Sequence, residues 1–407
     1  MSSASERQDH WSIRENQPGN DRIGPPESEV VADSSSLAKP VVLITGAAGR
    51  IGSALTEHFA PFFTVVGLDV ADPPEDSSAH EWIHCDLTSD ESVAAAMAKL
   101  GSLTTNASDR TPRIAAVVHL AAYYDFSGEP SDMYDELTVR GTRRLLEHLK
   151  PLPVEQFIFA STLLVMKPND EHPLHEWDEV SAKWEYPQSK VQAERVIQDH
   201  CPFPHVILRI AGVYDDGCHS IPLAQQIARI NERRMTSFVF PGNTDHGQAM
   251  IHMDDLVTCI QCAIGARSRL SQSETFLIAE PETMSFSELQ EELGDMIHGR
   301  HWPTLRIPKS LAKVGAWLQE HMTSDEDGPF IRPWMVDLAD DHYEVNLTLA
   351  RTQLSWDPVR RLRHTLPAML GRFHKDKQLW YEQHDLDFPE PVEVTHVKGM
   401  GIEATPF

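Results

Sequence analysis

Tyr186 and Lys190 stand four residues apart, a spacing that puts both side chains on one face of a helix. A phenol is a poor base at its ordinary pKa of about 10. An ammonium beside it favours the phenolate and brings proton exchange towards neutral pH. Such a pair can move a proton on and off a hydroxyl or carbonyl oxygen, provided something else takes the electrons. Tyr-x-x-x-Lys also occurs on surface helices with no chemistry, so the meaning of this pair depends on what precedes it.

Upstream lies Thr45-Gly46-Ala47-Ala48-Gly49-Arg50-Ile51-Gly52, directly after the apolar run Val41-Val42-Leu43-Ile44. Glycines at 46, 49 and 52 between a buried strand and an amphipathic helix let backbone approach a pyrophosphate at the helix N-terminus without a Cβ in the way. Alone, the triplet also fits an ordinary tight turn. The next apolar run, Phe62 to Leu68, ends in Asp69, which places a carboxylate at the tip of the second strand, where ribose hydroxyls would lie. That favours NAD over NADP, because a 2′-phosphate would meet a like charge. Arg50 keeps NADP open as the less favoured cofactor, or is simply a solvated helix residue.

Downstream motifs follow in order. They are Cys85-Asp86-Leu87, Val117-Val118-His119-Leu120-Ala121-Ala122, Val139-Arg140-Gly141-Thr142, Phe159-Ala160-Ser161-Thr162 and Leu208-Arg209-Ile210-Ala211-Gly212-Val213-Tyr214. Ile251-His252-Met253-Asp254-Asp255-Leu256 and Leu354-Ser355-Trp356-Asp357-Pro358 come later. In this order they resemble the extended short-chain dehydrogenase/reductases of the NAD-dependent epimerase/dehydratase type, from about residue 40 to about 372. The resemblance implies catalytic roles for Thr162, Tyr186 and Lys190, with Val165 in register making Thr162 a better candidate than its neighbour Ser161. It implies cofactor contacts from Gly46, Ala48, Gly49, Arg50, Ile51, Gly52, Asp69, Asp86, Leu87, Leu120, Ala121, Ala122, Tyr186, Lys190 and Ile210. Substrate contacts would come from Thr162, Tyr123, Gly212 and Val213.

The departures from the family pattern bear on substrate. Leu163 and Leu164 stand where 4,6-dehydratases carry an acid pair, which argues against elimination of water. Pro187, Met166 and Thr138 replace the usual Gly, Tyr and Asn, and Gln248 stands near a position where many sugar-nucleotide enzymes use Arg. Ile307-Pro308-Lys309-Ser310-Leu311-Ala312 and Tyr343-Glu344-Val345 resemble the hydroxysteroid-type branch at least as well. The leading expectation is an NAD-dependent epimerase or dehydrogenase acting on a nucleotide sugar or related sugar. The alternatives are a hydroxysteroid- or flavonoid-reductase-like enzyme on an apolar alcohol, or a catalytically silent NAD sensor.

The elements that position these residues read as an α/β chain with a doubly wound parallel (Rossmann) sheet and a smaller C-terminal substrate-binding lobe. Strands are expected near 41–45, 63–68, 81–84, 114–120 and 155–160, and helices near 50–60, 90–100, 132–149 and 186–200. Val206–Ile210 and the run near 275–279 should join the same sheet, and Gly101–Arg113 reads as a surface loop. The expected organisation is a disordered tail over 1–38, an NAD-binding domain over 39–210, a mainly substrate-binding lobe over 211–372 and an extension over 373–407.

With 35 Lys and Arg against 61 Asp and Glu, a formal net charge of −26 argues against nucleic acid or an anionic membrane as partner. The expected partner is a small-molecule substrate, with a homodimer through two long helices of the first domain as a possibility from the resemblance. No apolar run approaches a membrane span, and five irregularly spaced cysteines suit a reducing compartment, so a cytoplasmic location is expected. Cys259-x-x-Cys262 has no partner pair and reads as structural, and no metal is expected.

Overall fold

Val41–Thr45 is a run of aliphatic and β-branched side chains, every one buried, and it forms β1 in the interior of the main sheet. The computed structural model describes residues 39–105, 113–125, 129–313 and 333–389. The described residues belong to one compact unit that begins at Lys39. The expectations for 1–38 and for the final residues from 390 lie outside them.

After β1 come α1 (Arg50–Phe59), β2 (Thr64–Asp69), β3 (Glu81–His84), α2 (Asp90–Thr105) and β4 (Ile114–His119). A π-helix (Tyr134–Arg140) then runs into α3 (Gly141–Leu149), followed by β5 (Phe157–Thr162), β6 (Asn169–Leu174), α4 (Glu185–His200) and β7 (His205–Ile210). The remainder holds β8 (Gly212–Tyr214), α5 (Ile221–Asn231), β9 (Val239–Pro241), β10 (Met250–His252), α6 (Met253–Ala266) and β11 (Ser273–Ile278). It continues through α7 (Phe286–His298), β12 (Leu305–Ile307) and β13 (Tyr343–Val345).

Seven parallel strands pair in the order β11-β7-β5-β4-β1-β2-β3. The chain reverses direction across the sheet between β1 and β4, which opens a crevice beyond the carboxyl ends of those strands. Alternation along each strand divides the core. Val42, Ile44, Val118 and Ile158 face the side covered by α1 and α6, whereas Leu43, Val117, Phe157 and Phe159 face α2, α3 and α4.

The C-terminal region is built differently. Three two-stranded parallel pairs, β8 with β10, β9 with β12, and β6 with β13, join segments far apart in sequence. A separate core of Tyr214, Ile227, Leu293, Trp302 and Leu366 is closed by the helix Leu362–Lys375. Trp380 and Tyr381, in the helix Lys377–Gln383, are buried in the same core. The start of the extension therefore packs back, with Tyr381 Oη donating to Glu232 at 2.8 Å.

Two expectations need correction. Residues 101–105 continue α2 rather than forming a loop, because Leu100 and Thr104 are buried one turn apart, and 106–112 lie outside the described residues. The helix expected over 132–149 covers nearly that span, but its first half is a π-helix, and Thr138 within it accepts the Tyr123 N–H at 3.0 Å.

Candidate active site

Gly46 adopts φ +70°, and an added Cβ would stand 2.9 Å from the Ala121 nitrogen. At Gly52 a Cβ would fall 2.2 Å from the Gly46 carbonyl oxygen, so the turn closes only with glycine there. Gly49 is the N-cap of α1 and no side chain caps it. A Cβ at Gly49 would meet only the Gly46 oxygen, at 3.3 Å. The first N–H groups of α1 therefore carry no side-chain cap, in a cradle that side chains leave clear.

Asp69 ends β2 and ties this cradle in place. Its Oδ2 accepts the Ala48 N–H and its Oδ1 the Ala71 N–H, both at 3.0 Å. Arg50 extends to Asp215, 3.3 Å away, in the loop after β8. Asp86 is folded onto Thr88, whose backbone and hydroxyl both donate to it and hold its carboxyl below the usual range. Leu87 is buried, and its carbonyl accepts from Arg144.

At the end of β4 one hydrogen-bonded chain orders the next segment. Thr142 Oγ1 donates to the Thr138 carbonyl at 2.6 Å, so it accepts from His119 Nε2 at 2.9 Å. His119 Nδ1 is then the acceptor for Thr45 Oγ1 at 2.7 Å, and Thr45 accepts the Ala121 N–H at 3.2 Å. Burial, with the charge of Lys190 as the smaller cause, pushes His119 down to about 3, which keeps the ring neutral. The Leu120 N–H donates to the Thr45 carbonyl, and Leu120, Ala121 and Ala122 lead out of the sheet towards Tyr123.

Thr162 is the last residue of β5; its hydroxyl accepts the Leu164 N–H at 3.3 Å and lies close enough to Tyr186 to favour the phenolate. Lys190, almost fully buried one turn along α4, donates Nζ to the Ala160 carbonyl at 2.7 Å, with Nζ 4.8 Å from the Phe159 ring centre and 5.9 Å from that of Tyr186. The structure thus brings Thr162, Tyr186 and Lys190 together. Ser161 is committed elsewhere, its hydroxyl donating to Glu194.

Burial is the largest influence on both members of the pair. Burial pushes Tyr186 up to about 12, partly offset by the Thr162 hydrogen bond, with a small further rise from Tyr134. Burial also brings Lys190 down to about 7 against the opposing charge of Glu194. Both charged forms lose their hydration, and the Lys190 nitrogen is turned to a backbone carbonyl.

The expected substrate contacts divide. Tyr123 packs its ring on Tyr134 at 4.8 Å, whereas its neighbour Tyr124 packs on Tyr186 at 4.8 Å. Trp184 lies 5.5 Å from Tyr186 on the other side of the sequence. Tyr124 and Trp184 escaped the sequence reading, although successive residues of an extended segment point opposite ways, which makes Tyr124 the natural alternative to Tyr123. Gly212 is exposed and Val213 half-buried in β8, paired with Met250 and Ile251, while Ile210 ends β7 opposite Thr162. Gln248 donates to the Asp341 carbonyl at 2.8 Å.

One pattern was overlooked. His80-Glu81-Trp82-Ile83-His84 has the lettering of a zinc-protease helix, but Glu81–His84 is β3, where four residues span roughly 13 Å. His80 Nδ1 instead accepts the Val65 N–H. Among the described residues, no group of three or more His, Cys, Asp or Glu side chains could hold a metal ion. Cys259 is buried in α6, and burial pushes its thiol far above the usual range, consistent with a structural role. No described helix is long and apolar enough to cross a membrane.

Known structures share this architecture. MoeE5, solved with UDP-glucuronic acid and NAD, is 21% identical with a TM-score of 0.59, covering 82% of this chain and 99% of that one. The UDP-glucose 4-epimerase of Thermotoga maritima, solved with UDP-glucose, is 19% identical with a TM-score of 0.59 over 82% of this chain and 99% of its own. Among curated proteins, a decarboxylating sterol-4-alpha-carboxylate 3-dehydrogenase of Candida albicans is 28% identical over 200 residues, 43% of this chain. That match spans about half the relative's length, 51%. The profile of the NAD dependent epimerase/dehydratase family matches residues 42–279, from β1 to the end of β11. With more than half of its length matched and the ordered glycine cradle and Tyr186–Lys190 pair inside that span, the chain belongs to the NAD dependent epimerase/dehydratase family.

Proposed function

We propose that this chain is an NAD-dependent oxidoreductase acting at the carbon of a secondary hydroxyl or ketone, with Tyr186, Thr162 and Lys190 handling the proton. The observation that carries this is the convergence of the three side chains at the carboxyl ends of β5 and its neighbours, the edge that also holds the glycine cradle. The residues fit the cofactor. Uncapped N–H groups at the start of α1 would hold the pyrophosphate, and Asp69 at the strand tip would accept from the ribose hydroxyls. The Asp69 charge disfavours a 2′-phosphate, and Arg50, the cation that could offset it, is paired with Asp215. NAD, when bound, supplies the acceptor or donor of hydride.

The protein's own residues do the rest. Thr162 and Tyr186 share one substrate oxygen, and Tyr186 Oη gives or takes its proton. A phenol pushed up to about 12 is protonated at rest, which suits protonation of a ketone oxygen during reduction. Oxidation requires added positive charge beside Tyr186, and Lys190 is the protein's contribution to it. We take residues 39–210 as the cofactor-binding part and 211–372 as mainly the substrate lobe.

For the substrate, an apolar alicyclic alcohol has the better support. Tyr124 and Trp184 surround Tyr186 with aromatic rings, and Gln248 has its amide engaged with backbone. The sterol dehydrogenase of Candida albicans is the relative that shares this preference by name. A nucleotide sugar is the second reading, favoured by the order of the sequence motifs. A panel of apolar secondary alcohols followed by NADH absorbance, and of UDP-sugars followed both by NADH absorbance and by chromatography of the sugar product, separates them. Turnover confined to UDP-sugars overturns the first reading. NAD binding without turnover in either class points to a sensor and overturns both. NAD that stays bound through purification indicates an epimerase that recycles it, whereas freely exchanging NAD indicates a dehydrogenase.

A further inference from the structure

Three consecutive residues of β5 meet three successive turns of α4. Thr162 reaches Tyr186, the Ala160 carbonyl takes the Lys190 ammonium, and the Ser161 hydroxyl donates to Glu194. Tyr186, Lys190 and Glu194 lie at intervals of four on one helix face, so they form a single column against the strand end. Glu194 is buried, and Arg209 of β7 grips it twice, Nε to Oε1 at 3.2 Å and Nη2 to Oε2 at 2.8 Å. Arg209 is itself held by the Glu176 carbonyl at 3.2 Å and by Met166 Sδ. A buried ion pair this heavily braced does little for net stability compared with an apolar pair of the same volume, but it fixes its members firmly.

We infer that Glu194 is a positioning residue: braced by Arg209 and Ser161, it sets both the place and the charge of Lys190, one turn above it on α4. The inference rests on the reading of Tyr186 and Lys190 as the proton-moving pair. The groups facing Lys190 are Tyr186 and Glu194 on α4, neutral His119 on β4, and the uncharged Ser161 and Thr162 on β5. Tyr134 of the π-helix lies behind Tyr186, and Arg209 of β7 lies behind Glu194. Glu194 is the carboxylate in this set and the influence that opposes burial at Lys190. Its negative charge opposes the loss of the Lys190 proton that burial favours.

The test follows Lys190 directly in the full chain, by competitive labelling with acetic anhydride across pH 5.5 to 10 and mass spectrometry of the Lys190 peptide. In Glu194→Gln the midpoint should fall by at least about one pH unit, a tenfold change in the protonation ratio. Glu194→Asp should restore most of it. Because Glu194→Gln strands the Arg209 charge, the double variant Glu194→Gln/Arg209→Gln provides a neutral pair that should show the same fall. With a substrate that the panel identifies, the alkaline limb of kcat should move to lower pH by the same amount while KM stays within about twofold. An unmoved midpoint in the soluble variants, with altered thermal stability alone, assigns Glu194 a purely structural role and overturns the inference. Full activity in Tyr186→Phe would instead overturn the catalytic reading and leave the labelling result standing.

Discussion

Glu194 and Glu280 are both buried carboxylates at the ends of sheet strands or their packing helices, yet they are satisfied in opposite ways. Glu194 sits under the candidate site with a guanidinium on both oxygens. Glu280, just past β11, has for its carboxylate the Tyr214 hydroxyl at 3.0 Å and the Leu362 N–H at 2.9 Å, and burial lifts it to about 7. The first therefore carries a fixed charge into the nucleotide half. The second is a protonatable peg that joins β8, β11 and the start of the helix Leu362–Lys375. One buried carboxylate is paired with a guanidinium beside the candidate site, whereas the other joins its neighbours through hydrogen bonds that depend on pH.

The sharpest break of this contrast is at Tyr186. Tyr186→Phe should lower turnover by at least about a hundredfold with NAD affinity within about twofold, measured by steady-state rates and calorimetric titration. Undiminished turnover removes the catalytic reading.

Glycine substitutions set the two regions against each other. Gly52→Ala forces a Cβ to 2.2 Å from the Gly46 oxygen and 2.7 Å from Ala47 Cα, both backbone, so it should cost about 3 kcal/mol and weaken NAD binding at least tenfold. Gly371→Ala, in the helix Leu362–Lys375, meets nothing within 4 Å and should gain about 0.5–1 kcal/mol in urea unfolding. Equal effects at the two positions would dissolve the contrast.

Acid and base should act on the two regions with opposite sign. A Glu280 carboxyl raised from 4.5 to about 7 contributes stability that is complete below pH 4.5 and lost as pH rises through 7. That contribution is up to about 3 kcal/mol. Glu280→Gln should flatten this slope and stand above the wild-type protein at pH 8, read from urea midpoints. His119, pushed from 6.5 down to about 3, does the reverse: its contribution is present above pH 6.5 and lost as pH falls towards 3. His119→Gln should remove that acid slope. Parallel pH curves for the wild type and both variants would show that neither group titrates as its surroundings indicate.

The difference between the regions also governs what could be read in advance. The strands of the main sheet fall within a residue or two of their expected limits, because the inner ones are short apolar runs buried on both faces and bounded by polar turns. The glycine cradle and Asp69 were legible because local sterics and chain order specify them. Glu194 and Arg209 were not, since a charged residue on an amphipathic helix reads as solvated until its partner, fifteen residues on in another element, arrives beside it. Likewise Tyr123 and Tyr124 are indistinguishable as letters, and only the turn out of β4, held by the Thr45–His119–Thr142 chain, puts Tyr124 on Tyr186.

By itself the sequence determined the alternation of strand and helix, the phosphate cradle and the spacing of Tyr186 and Lys190, all consequences of backbone sterics and periodicity over a few residues. Tertiary structure decided which hydroxyl of Ser161 and Thr162 faces the phenol, how burial moves Tyr186 and Lys190, and how β6, β8 and β9 find partners at β13, β10 and β12. Those outcomes depend on desolvation and on contacts between distant segments, and neither exists until the chain has folded.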